Sequence, residues 1–558
     1  YIESGINSAL TISGSGNVTF YNNTALGGSA LNNRTDSNGL GGAIAGQNVY
    51  LQGSGTYTFD SNKAIGGDAL VEMLVVAGHG GAINASSVYL SGDGDYVFRN
   101  NLAEVGDNTG ARDSNWNGQG GAIWIGAEGK FTGSGNILFE GNTARTGSVT
   151  GQNTSIADSG GGGALYGDRF ASYTFDKSGQ VVFKDNQAFG GDSSDQGNGT
   201  QTGTGGAISM WNTVTMTGDA DYTFENNRAV AGAAYNNGNT KGSGSGGAIF
   251  GSANLEGTGT YRFSGNQAIG SDSDGAGSDG SFSGVGGVIR GRMTWNGEGT
   301  YIFDGNKAIG GKATNGGNSS ISGLGGAITA FSDSVITGGT FTNNKASTTN
   351  IGDLTSGRGG AIFIGPLYTS FPISYNMTAT ADNPLIFKGN THNPGGTGET
   401  ANSLYYGSLI TRDNTINSTF NVEDGAQLLM YDPMASQEDG LTDSSGTTYG
   451  NVTANITKTG GGSWVLAGHN DFRGASNWDI TEGTLHLIPT EPLTRAAASM
   501  APAHINLSHA ASSFLLRSGA PLALTPARAG SGSAVYHPIP AYEISMAGGS
   551  WVALAGFS

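Results

Sequence analysis

Apolar and polar residues alternate in short stretches that recur along residues 20–390. In the most regular stretches an aromatic or aliphatic residue stands two positions before Phe, as at 57–59 and 96–98. A period of two predicts a β-strand whose two apolar side chains face inward, while the residue between them faces outward. A second alternation, Val-Tyr-Leu at 49–51 and 88–90, predicts another strand in each unit. The pattern therefore predicts a chain of many short strands.

Two motifs mark these units, and each recurs about every 40 residues. The first is Phe-x-x-Asn, which begins at Phe20, Phe59, Phe98, Phe139, Phe183, Phe224, Phe263, Phe303, Phe341 and Phe387. The second is Gly-Gly-Ala, which begins at Gly41, Gly80, Gly120, Gly162, Gly205, Gly246, Gly325 and Gly359, with a Val variant at Gly286. Fixed-period self-similarity of this kind is typical of solenoid proteins.

Superimposing the two motifs halves the period, because Phe-x-x-Asn usually continues as Asn-x-Ala. From Ala25 to Ala361, seventeen intervals cover 336 residues, a mean near 20. A unit this short cannot bury its own apolar face, so we expect an all-β parallel β-solenoid with about 20 residues per coil. Coils about 4.8 Å apart would then form a rod of roughly 80 Å.

The repeated Asn and Gly residues have structural explanations in such a coil. Each Asn is expected at a turn, where stacked amides bond to the coil above or below and contribute roughly 0.5–1.5 kcal/mol each. Gly-Gly is expected at a crowded corner. The Ala that follows Gly-Gly is expected to lie at this corner, and the Ile after it is expected to point into the solenoid.

Polar tracts of 10–15 residues follow most Asn-x-Ala triplets, as at 27–40, 105–120, 190–205 and 270–286. They are expected to leave alternate coils at the same point, and so to project from one face about every 10 Å. Loops on a rigid scaffold commonly carry binding residues. The tracts are accordingly interpreted as a binding surface, with flexible padding as the alternative.

Five residues in these tracts are candidates for contact with a partner: Trp116, Arg112, Asp113, Tyr235 and Phe282. Trp116 ranks first, because an aromatic side chain in a polar loop has no core to join. Asp272, Asp274 and Asp279 invite a calcium interpretation, but their spacing fits neither an EF-hand nor the nonapeptide calcium repeat. A solvated acidic loop is predicted instead, and no metal or cofactor is predicted anywhere in the chain.

The regular ladder fades beyond Phe387, and this divides the chain into three predicted domains. Residues 1–390 form the repeat β-helix, 391–450 an irregular continuation, and 451–558 a C-terminal cap. Apolar alternation with Gly at corners returns at 456–487.

Composition and charge narrow the classes of partner. Gly contributes 100 of 558 residues, but hydrophobic residues at 36% are too many for a disordered chain. The net charge of −18 would repel a phosphate backbone, so nucleic acid is excluded as a partner. No cysteine is present, which excludes a disulfide framework.

The paired motifs resemble the polymorphic outer-membrane proteins of the chlamydia type. Residues 456–487 are similar to the passenger-associated, autochaperone-like repeat that precedes the membrane barrel of Gram-negative autotransporters. The resemblance implies a right-handed parallel β-helix, secreted by the type V route through its own C-terminal barrel and displayed on the outer membrane or released. It also implies an adhesin, whose partners are identical passengers on neighbouring cells, a host surface protein or a glycan.

Two other functions remain alternatives. A polysaccharide-degrading β-helix enzyme would need carboxylates clustered in a groove, whereas the acidic residues here lie in the variable tracts. The chain also contains no Gly-x-Ser-x-Gly, His-Glu-x-x-His or phosphate-loop motif. The second alternative is a purely structural surface stalk. The sequence favours a non-enzymatic adhesin that aggregates bacteria or attaches them to host cells or matrix.

Overall fold

The computed structural model describes most of the chain between Ala9 and Leu554. The described ranges are 9–28, 38–68, 75–107, 114–150, 155–194, 198–199, 202–235, 244–275, 278, 283–318, 320–366, 372–443, 446–488, 504–507, 513–516, 522–524, 543–546 and 551–554. Within them the secondary structure is β, apart from one 3-10 turn at Pro394–Gly396. The described ranges hold no helix long and apolar enough to cross a membrane.

Strands stack in parallel along the rod to form three principal sheets. The aromatic sheet contains the Phe of each Phe-x-x-Asn motif, and its strands pair Phe59 with Phe20 on one side and with Phe98 on the other. Its strands are Val18–Tyr21, Tyr57–Asp60, Tyr96–Arg99, Ile137–Glu140, Val181–Lys184, Tyr222–Glu225, Thr260–Ser264, Thr300–Asp304, Gly339–Thr342, Leu385–Lys388, Gln427–Met430, Ser463–Ala467, Thr484–Ile488 and Leu522–Leu524.

The alanine sheet contains the Ala of each Asn-x-Ala triplet and pairs Ala64 with Ala25 and Ala103. Its strands are Thr24–Leu26, Lys63–Ile65, Leu102–Glu104, Thr143–Arg145, Gln187–Phe189, Arg228–Val230, Gln267–Ile269, Lys307–Ile309, Lys345–Ser347, Thr391–Asn393 and Thr400–Ala401. The last of these strands pairs antiparallel to Thr391–Asn393.

The long sheet begins after each Gly-Gly-Ala corner and contains the predicted Val-Tyr-Leu strands. Its strands are Ala9–Gly14, Ile44–Gly53, Ile83–Ser91, Ile123–Gly133, Leu165–Gly167, Ser172–Lys177, Ile208–Gly218, Ile249–Leu255, Ile289–Arg290, Met293–Trp295, Ile328–Ala330, Ser334–Thr337, Ile362–Ile364, Ile373–Ala379, Leu404–Tyr406, Asn414–Val422, Met434–Ser436, Val452–Thr459, His469–Phe472, Ser476–Ile480, His504–Leu507, Ser513–Leu516, Glu543–Met546 and Trp551–Leu554.

Two smaller sheets flank the variable tracts. The loop-start sheet lies where each tract begins and consists of Val149–Thr150, Ser193–Ser194, Ala234–Tyr235, Ser273–Asp274 and Ala313–Thr314. The loop-return sheet lies where each tract rejoins the coil and consists of Gly39–Leu40, Val75–His79, Ser114–Gln119, Ser155–Gly161, Asn198–Gly199 and Thr202–Thr204. These two sheets therefore frame one corner of the rod.

The β-solenoid is confirmed, but the predicted coil of about 20 residues is wrong. Asn62 and Asn101, which stack on each other, are 39 residues apart, and the next pair is 41 residues apart. The two alanine series lie on different edges of the same coil and never pair with each other in the described ranges, since Ala43 bonds to Ala82 and Ala25 pairs with Ala64. Nine intervals from Phe20 to Phe387 therefore span about 43 Å at ~4.8 Å per coil, not 80 Å.

The core is formed by residues that the period of two predicted to face inward. Tyr57 and Phe59 are buried, and Phe20, Phe59 and Phe98 stack with ring centroids 4.8 Å apart. Both Ala82 and Ile83 are fully buried, because the chain bends at Gly81 and Ala82 before the long strand starts. A Cβ on Gly81 would collide with the carbonyl oxygen of Gly121 on the next coil, which explains the glycine.

Stacked asparagines form a buried ladder beside the aromatic sheet, as predicted. The Asn62 Nδ2 donates to Asn101 Oδ1 at 3.0 Å and to the Phe20 carbonyl at 3.0 Å. Each amide thus joins the coils on both sides of its own. The ladder begins at Asn23, which is exposed, and ends on the carboxylate of Asp432. Its buried members are Asn62, Asn101, Asn142, Asn186, Asn227, Asn266, Asn306, Asn344 and Asn390.

Strands from the predicted second and third domains stack on the same sheets as those of the first. Asn414–Val422 pairs with Ile373–Ala379, and Val452–Thr459 pairs with Asn414–Val422. Coils become shorter here: Asn455 and Asn477, which bond to each other, are only 22 residues apart. The domain boundaries at 390 and 450 stay a prediction.

Candidate binding face

The variable tracts leave each coil at a corner fixed by aspartate side chains. Asp107 Oδ1 accepts a hydrogen bond from the Ser148 amide at 2.8 Å, and Asp192 Oδ1 accepts one from the Ala233 amide at 2.8 Å. Asp272 repeats the arrangement with the Lys312 amide at 2.7 Å. Each carboxylate therefore ties the start of one tract to the next coil, as a charge-assisted bond of this kind does.

Tyr235 lies on the outer side of the loop-start sheet. Ala234 beside it is buried, whereas Tyr235 is 40% exposed and its backbone pairs with Asp274. Partial burial raises the pKa of Tyr235, and the carboxylates of Asp192, Asp272 and Asp274 raise it further. This end of the corner is thus an aromatic side chain in an acidic environment.

Asp274 uses its carboxylate within the rod. Its Oδ1 accepts hydrogen bonds from Thr314 Oγ1 and Asn315 Nδ2, each at 2.7 Å, and these bonds lower the pKa of Asp274. Asp279, the third residue of the calcium interpretation, lies outside the described residues. Within the described residues, no group of three or more His, Asp or Glu side chains is placed to hold a metal ion.

The other predicted contact residues fall differently. Trp116 is not in a loop: it lies in the strand Ser114–Gln119, where its backbone pairs with Val76 and Asp158. Arg112, Asp113 and Phe282 lie outside the described residues. Of the five predicted contact residues, Tyr235 is therefore the one whose side chain lies in the described part of the structure.

The tracts are also more ordered at their ends than predicted. The tract at 105–120 ends in a strand that pairs with Val75–His79 on one side and Ser155–Gly161 on the other. This end of the tract is thus a strand of the loop-return sheet rather than a loop. Since a coil has about 40 residues rather than 20, the tracts leave every coil and stack about every 4.8 Å rather than every 10 Å.

A row of aromatic side chains runs along the same corner, outside the solenoid core. It begins at His79, at the end of a loop-return strand, and continues through outward positions near the start of the long sheet. We call it the outer aromatic row, and it consists of His79, Trp124, Tyr166, Trp211, Phe250, Arg290 and Phe331.

Consecutive members of this row contact one another across coils. The Trp124 ring stacks on His79 with centroids 5.0 Å apart, and its Nε1 donates to Gln119 Oε1 at 3.3 Å. Interactions with Trp211 and Gln119 lower the pKa of Tyr166, against the larger effect of burial, which raises it. The first half of the row is thus a connected set of rings and amides.

The second half of the row is built around a guanidinium group. Trp211 contacts Phe250 edge to face at 6.2 Å. The Arg290 guanidinium lies 5.1 Å from the Phe250 ring centroid and 5.5 Å from that of Phe331. Such cation–π contacts hold the guanidinium against the sheet.

Burial differs sharply along the row. Tyr166 is 6% exposed, and burial raises its pKa to about 12; burial also lowers the pKa of His79 to about 3. Trp211 is 68% exposed, because a β-bulge between Ser209 and Thr213 turns the chain outward there. Bulges commonly redirect a side chain in this way.

Toward the C-terminus the row is covered by other parts of the chain. Phe363 and Tyr405 continue the outward positions, but each is only 2% exposed. Together they form a second apolar cluster outside the solenoid, with Val285, Ile321, Leu324, Leu409 and Tyr449. The open part of the row therefore lies between Tyr166 and Phe331.

The sequence contained a signal for this row that the motif analysis missed. The residue directly after Gly-Gly-Ala-Ile, or its variants, points outward at the corner. Read in order, these residues are Ala45, Asn84, Trp124, Tyr166, Ser209, Phe250, Arg290, Thr329 and Phe363. Aromatic and Arg residues recurring at this outward position would have marked part of the row, although Trp211 and Phe331 lie two residues further along their coils.

Comparison with known proteins identifies one segment. The model of the Chlamydia polymorphic membrane protein repeat matches residues 136–168. This segment contains the aromatic strand Ile137–Glu140, the ladder residue Asn142 and the Gly-Gly-Ala corner that begins at Gly162. No curated protein and no solved structure matches the chain. The chain therefore contains a repeat of the polymorphic membrane protein type and folds as a β-solenoid.

Proposed function

We propose that this protein is the surface-displayed passenger of a Gram-negative autotransporter and acts as an adhesin. In this proposal it is secreted by the type V route through its own C-terminal membrane barrel. It aggregates bacteria through identical passengers on neighbouring cells, or attaches them to a host surface protein or glycan. The repeat at 136–168 supports this assignment, because its family is named for membrane proteins.

The observation that carries the adhesive role is the corner at which the variable tracts begin and end. Aspartates fix the start of the tracts, strands fix their return, and the open outer aromatic row lies beside them. Exposed aromatic and Arg side chains in one patch are the residues that dominate binding energy at interfaces. A rod that presents this patch along its side is suited to contact another surface.

The state of the carboxylates supports binding rather than glycoside hydrolysis. Acid–base catalysis on a glycan needs a pair of carboxyl groups facing the substrate. At this corner Asp107, Asp192 and Asp272 accept hydrogen bonds from backbone amides of the neighbouring coil. Their oxygens thus hold the scaffold together. The net charge of −18 argues further against nucleic acid as the partner.

The test displays the full chain on non-adherent bacteria and measures settling and attachment to cultured epithelial cells. Trp211→Ala should reduce the active readout about tenfold, as loss of an interface hot spot does. Tyr21→Ala is the matched control, because Tyr21 is 65% exposed compared with 68% for Trp211 and lies on the aromatic sheet.

The two forms of adhesion are separated by mixing cells that display the chain with cells that do not. Homotypic binding leaves the second population dispersed, whereas a shared surface receptor brings both into the clumps. Displaying cells that neither settle nor attach would contradict the adhesin assignment. If Trp211→Ala and Tyr21→Ala reduce adhesion equally, the outer aromatic row is not part of the adhesive surface.

A further inference from the structure

We propose that the open part of the outer aromatic row binds a linear acidic glycan that lies along the rod axis. The inference rests on the proposed adhesin function and names the chemical class of its partner. It concerns the side chains between Tyr166 and Phe331, where Trp211 is 68% exposed and Phe170, in the adjoining turn, is 83% exposed.

The shape of the row requires an extended ligand. Trp211, Phe250 and Arg290 come from three successive coils, and coils rise about 4.8 Å each. A ligand that touches all three must therefore extend along the axis and offer similar groups at regular intervals. A glycan chain does so, because the C–H faces of its sugar rings are apolar and stack on aromatic rings.

The surface beside the row supplies hydrogen-bonding groups for sugar hydroxyls. Thr213 and Thr215 occupy outward positions on the strand that carries Trp211, and Ser252 and Asn254 occupy them on the next coil. All four side chains are half-buried, so they lie flush with the sheet. A site with aromatic faces beside hydroxyl and amide groups is better suited to bind a sugar than to bind an apolar protein surface.

Charge indicates that the glycan is acidic. The segments Ile208–Gly218, Ile249–Leu255 and 289–295 contain Arg290 and Arg292 but no Asp or Glu, in a chain with 43 acidic and 25 basic residues. The nearest carboxylate at the other end of the row is Asp168, which stands next to Arg169 in the turn that carries Phe170. The Arg290 guanidinium is held between two rings and donates to Ser245 Oγ at 3.2 Å. A carboxylate on the ligand would be attracted here and repelled by the acidic loop-start sheet near Tyr235.

The covered end of the row shows which neighbouring side chains are present where a polypeptide segment packs on the row. There Phe363 and Tyr405 pack against the apolar side chains of Leu324, Leu409 and Tyr449. The open part has Thr, Ser, Asn and Arg around its rings instead. The two ends are thus built for different occupants, and the open one is not matched to an apolar chain segment.

The direct test measures binding of two glycan probes to the purified full chain by calorimetry and tryptophan fluorescence. One probe is a hyaluronan oligosaccharide, which alternates a uronate with N-acetylglucosamine. The other is a neutral chitin oligosaccharide of the same length. The hyaluronan probe is expected to bind more tightly, and its affinity should fall as ionic strength rises.

Three variants locate the site. Trp211→Ala should weaken hyaluronan binding about tenfold or more, and Arg290→Gln should remove both the preference for the acidic probe and most of the salt dependence. Tyr21→Ala should bind like the unaltered chain. Circular dichroism of each variant checks that the β structure is retained.

Several outcomes would overturn the inference. They are equal affinity for the acidic and neutral probes, no binding of hyaluronan at all, or unchanged binding in Trp211→Ala. Attachment to epithelial cells that depends on Trp211 but survives removal of their glycans would assign the row to a protein partner. In that case the adhesin proposal would stand while the glycan proposal fails.

Discussion

The outer aromatic row has an open part and a covered end. Phe250 in the open part and Phe363 at the covered end occupy the same position of the repeat, directly after Gly-Gly-Ala-Ile, whereas Trp211 lies two residues further along its coil. In the open part Trp211 is 68% exposed and Phe250 half-buried. At the covered end Phe363 and Tyr405 are 2% exposed. What differs is the chain around them, since segments near Leu324, Leu409 and Tyr449 pack over the second pair.

This difference shows that an aromatic residue after Gly-Gly-Ala-Ile has no fixed role. Where irregular segments supply apolar partners, the residue belongs to a small core that stabilises the fold. Where they do not, it stays available to another molecule. Substitutions at the covered end should therefore reduce stability but not binding, whereas substitutions in the open part should reduce binding but not stability.

The largest effect is expected from Tyr405→Ala at the covered end. This change empties space beside Phe363 and leaves the half-buried Arg358 guanidinium, now 4.6 Å from the Tyr405 ring centroid, without its aromatic partner. We expect it to destabilise the fold by about 3–5 kcal/mol, as measured by urea denaturation. Trp211→Ala should change stability by less than about 0.5 kcal/mol. A similar loss in both variants would contradict the distinction between the two ends.

An effect of intermediate size is expected from His392, whose ring lies 6.3 Å from that of Tyr405. Burial, and then the Arg358 charge, lower the pKa of His392 to about 3. The unfolded imidazole binds a proton near pH 6.5, so between pH 6.5 and 3 the unfolded state holds more protons and stability falls as pH falls. The loss should be about 2 kcal/mol between pH 6.5 and 5.

His392→Ala provides the control for this pH dependence. His392 pairs with Ala346, so alanine at this position continues the alanine sheet. The variant should lose about half of the slope of unfolding free energy against pH in this window, because burial lowers the pKa of His79 to about 3 as well. His469→Ala, at an exposed position, should keep the slope. An unchanged slope in His392→Ala would place the acid sensitivity elsewhere.

The smallest effect is expected from Asp443→Asn, which loosens the segment that covers the row. Asp443 accepts hydrogen bonds from the Tyr449 hydroxyl at 2.6 Å and from the Thr447 amide at 2.9 Å. We expect a loss of about 1–2 kcal/mol and faster hydrogen exchange confined to residues 437–450. Asp439→Asn, on the exposed side of the same segment, should leave exchange unchanged. Slow exchange in both variants would mean that the cover is held by apolar packing alone.

Much of the fold could be predicted from sequence because its strands obey a period of two. Tyr57, Phe59 and Asn62 lie where the alternation and the turn chemistry placed them. The coil length could not be obtained by superimposing motifs, because Ala fits two different crowded edges of one coil. Parallel pairing joins like residues, as Phe59 on Phe98 shows, so the 40-residue recurrence of each motif was the better measure.

The candidate binding face was harder to predict than the core. The location of the tracts at one corner followed from their shared position in the repeat. Trp116 was wrongly placed in a loop, because its strand has no apolar alternation and so no sequence pattern that predicts a strand. Trp211 was missed because its exposure depends on a bulge, and Tyr405 because its cover comes from distant segments. Contacts between parts far apart in sequence leave no local pattern.

The buried asparagine ladder makes this protein a chain of interchangeable modules. Each coil offers its neighbours the same amide donors and acceptors, and like residues pair on both sides. If one whole module is deleted or duplicated, Asn still stacks on Asn and Phe on Phe at the new junction, so no new core packing is needed. Evolution can thus lengthen or shorten the rod, while each corner segment diversifies independently.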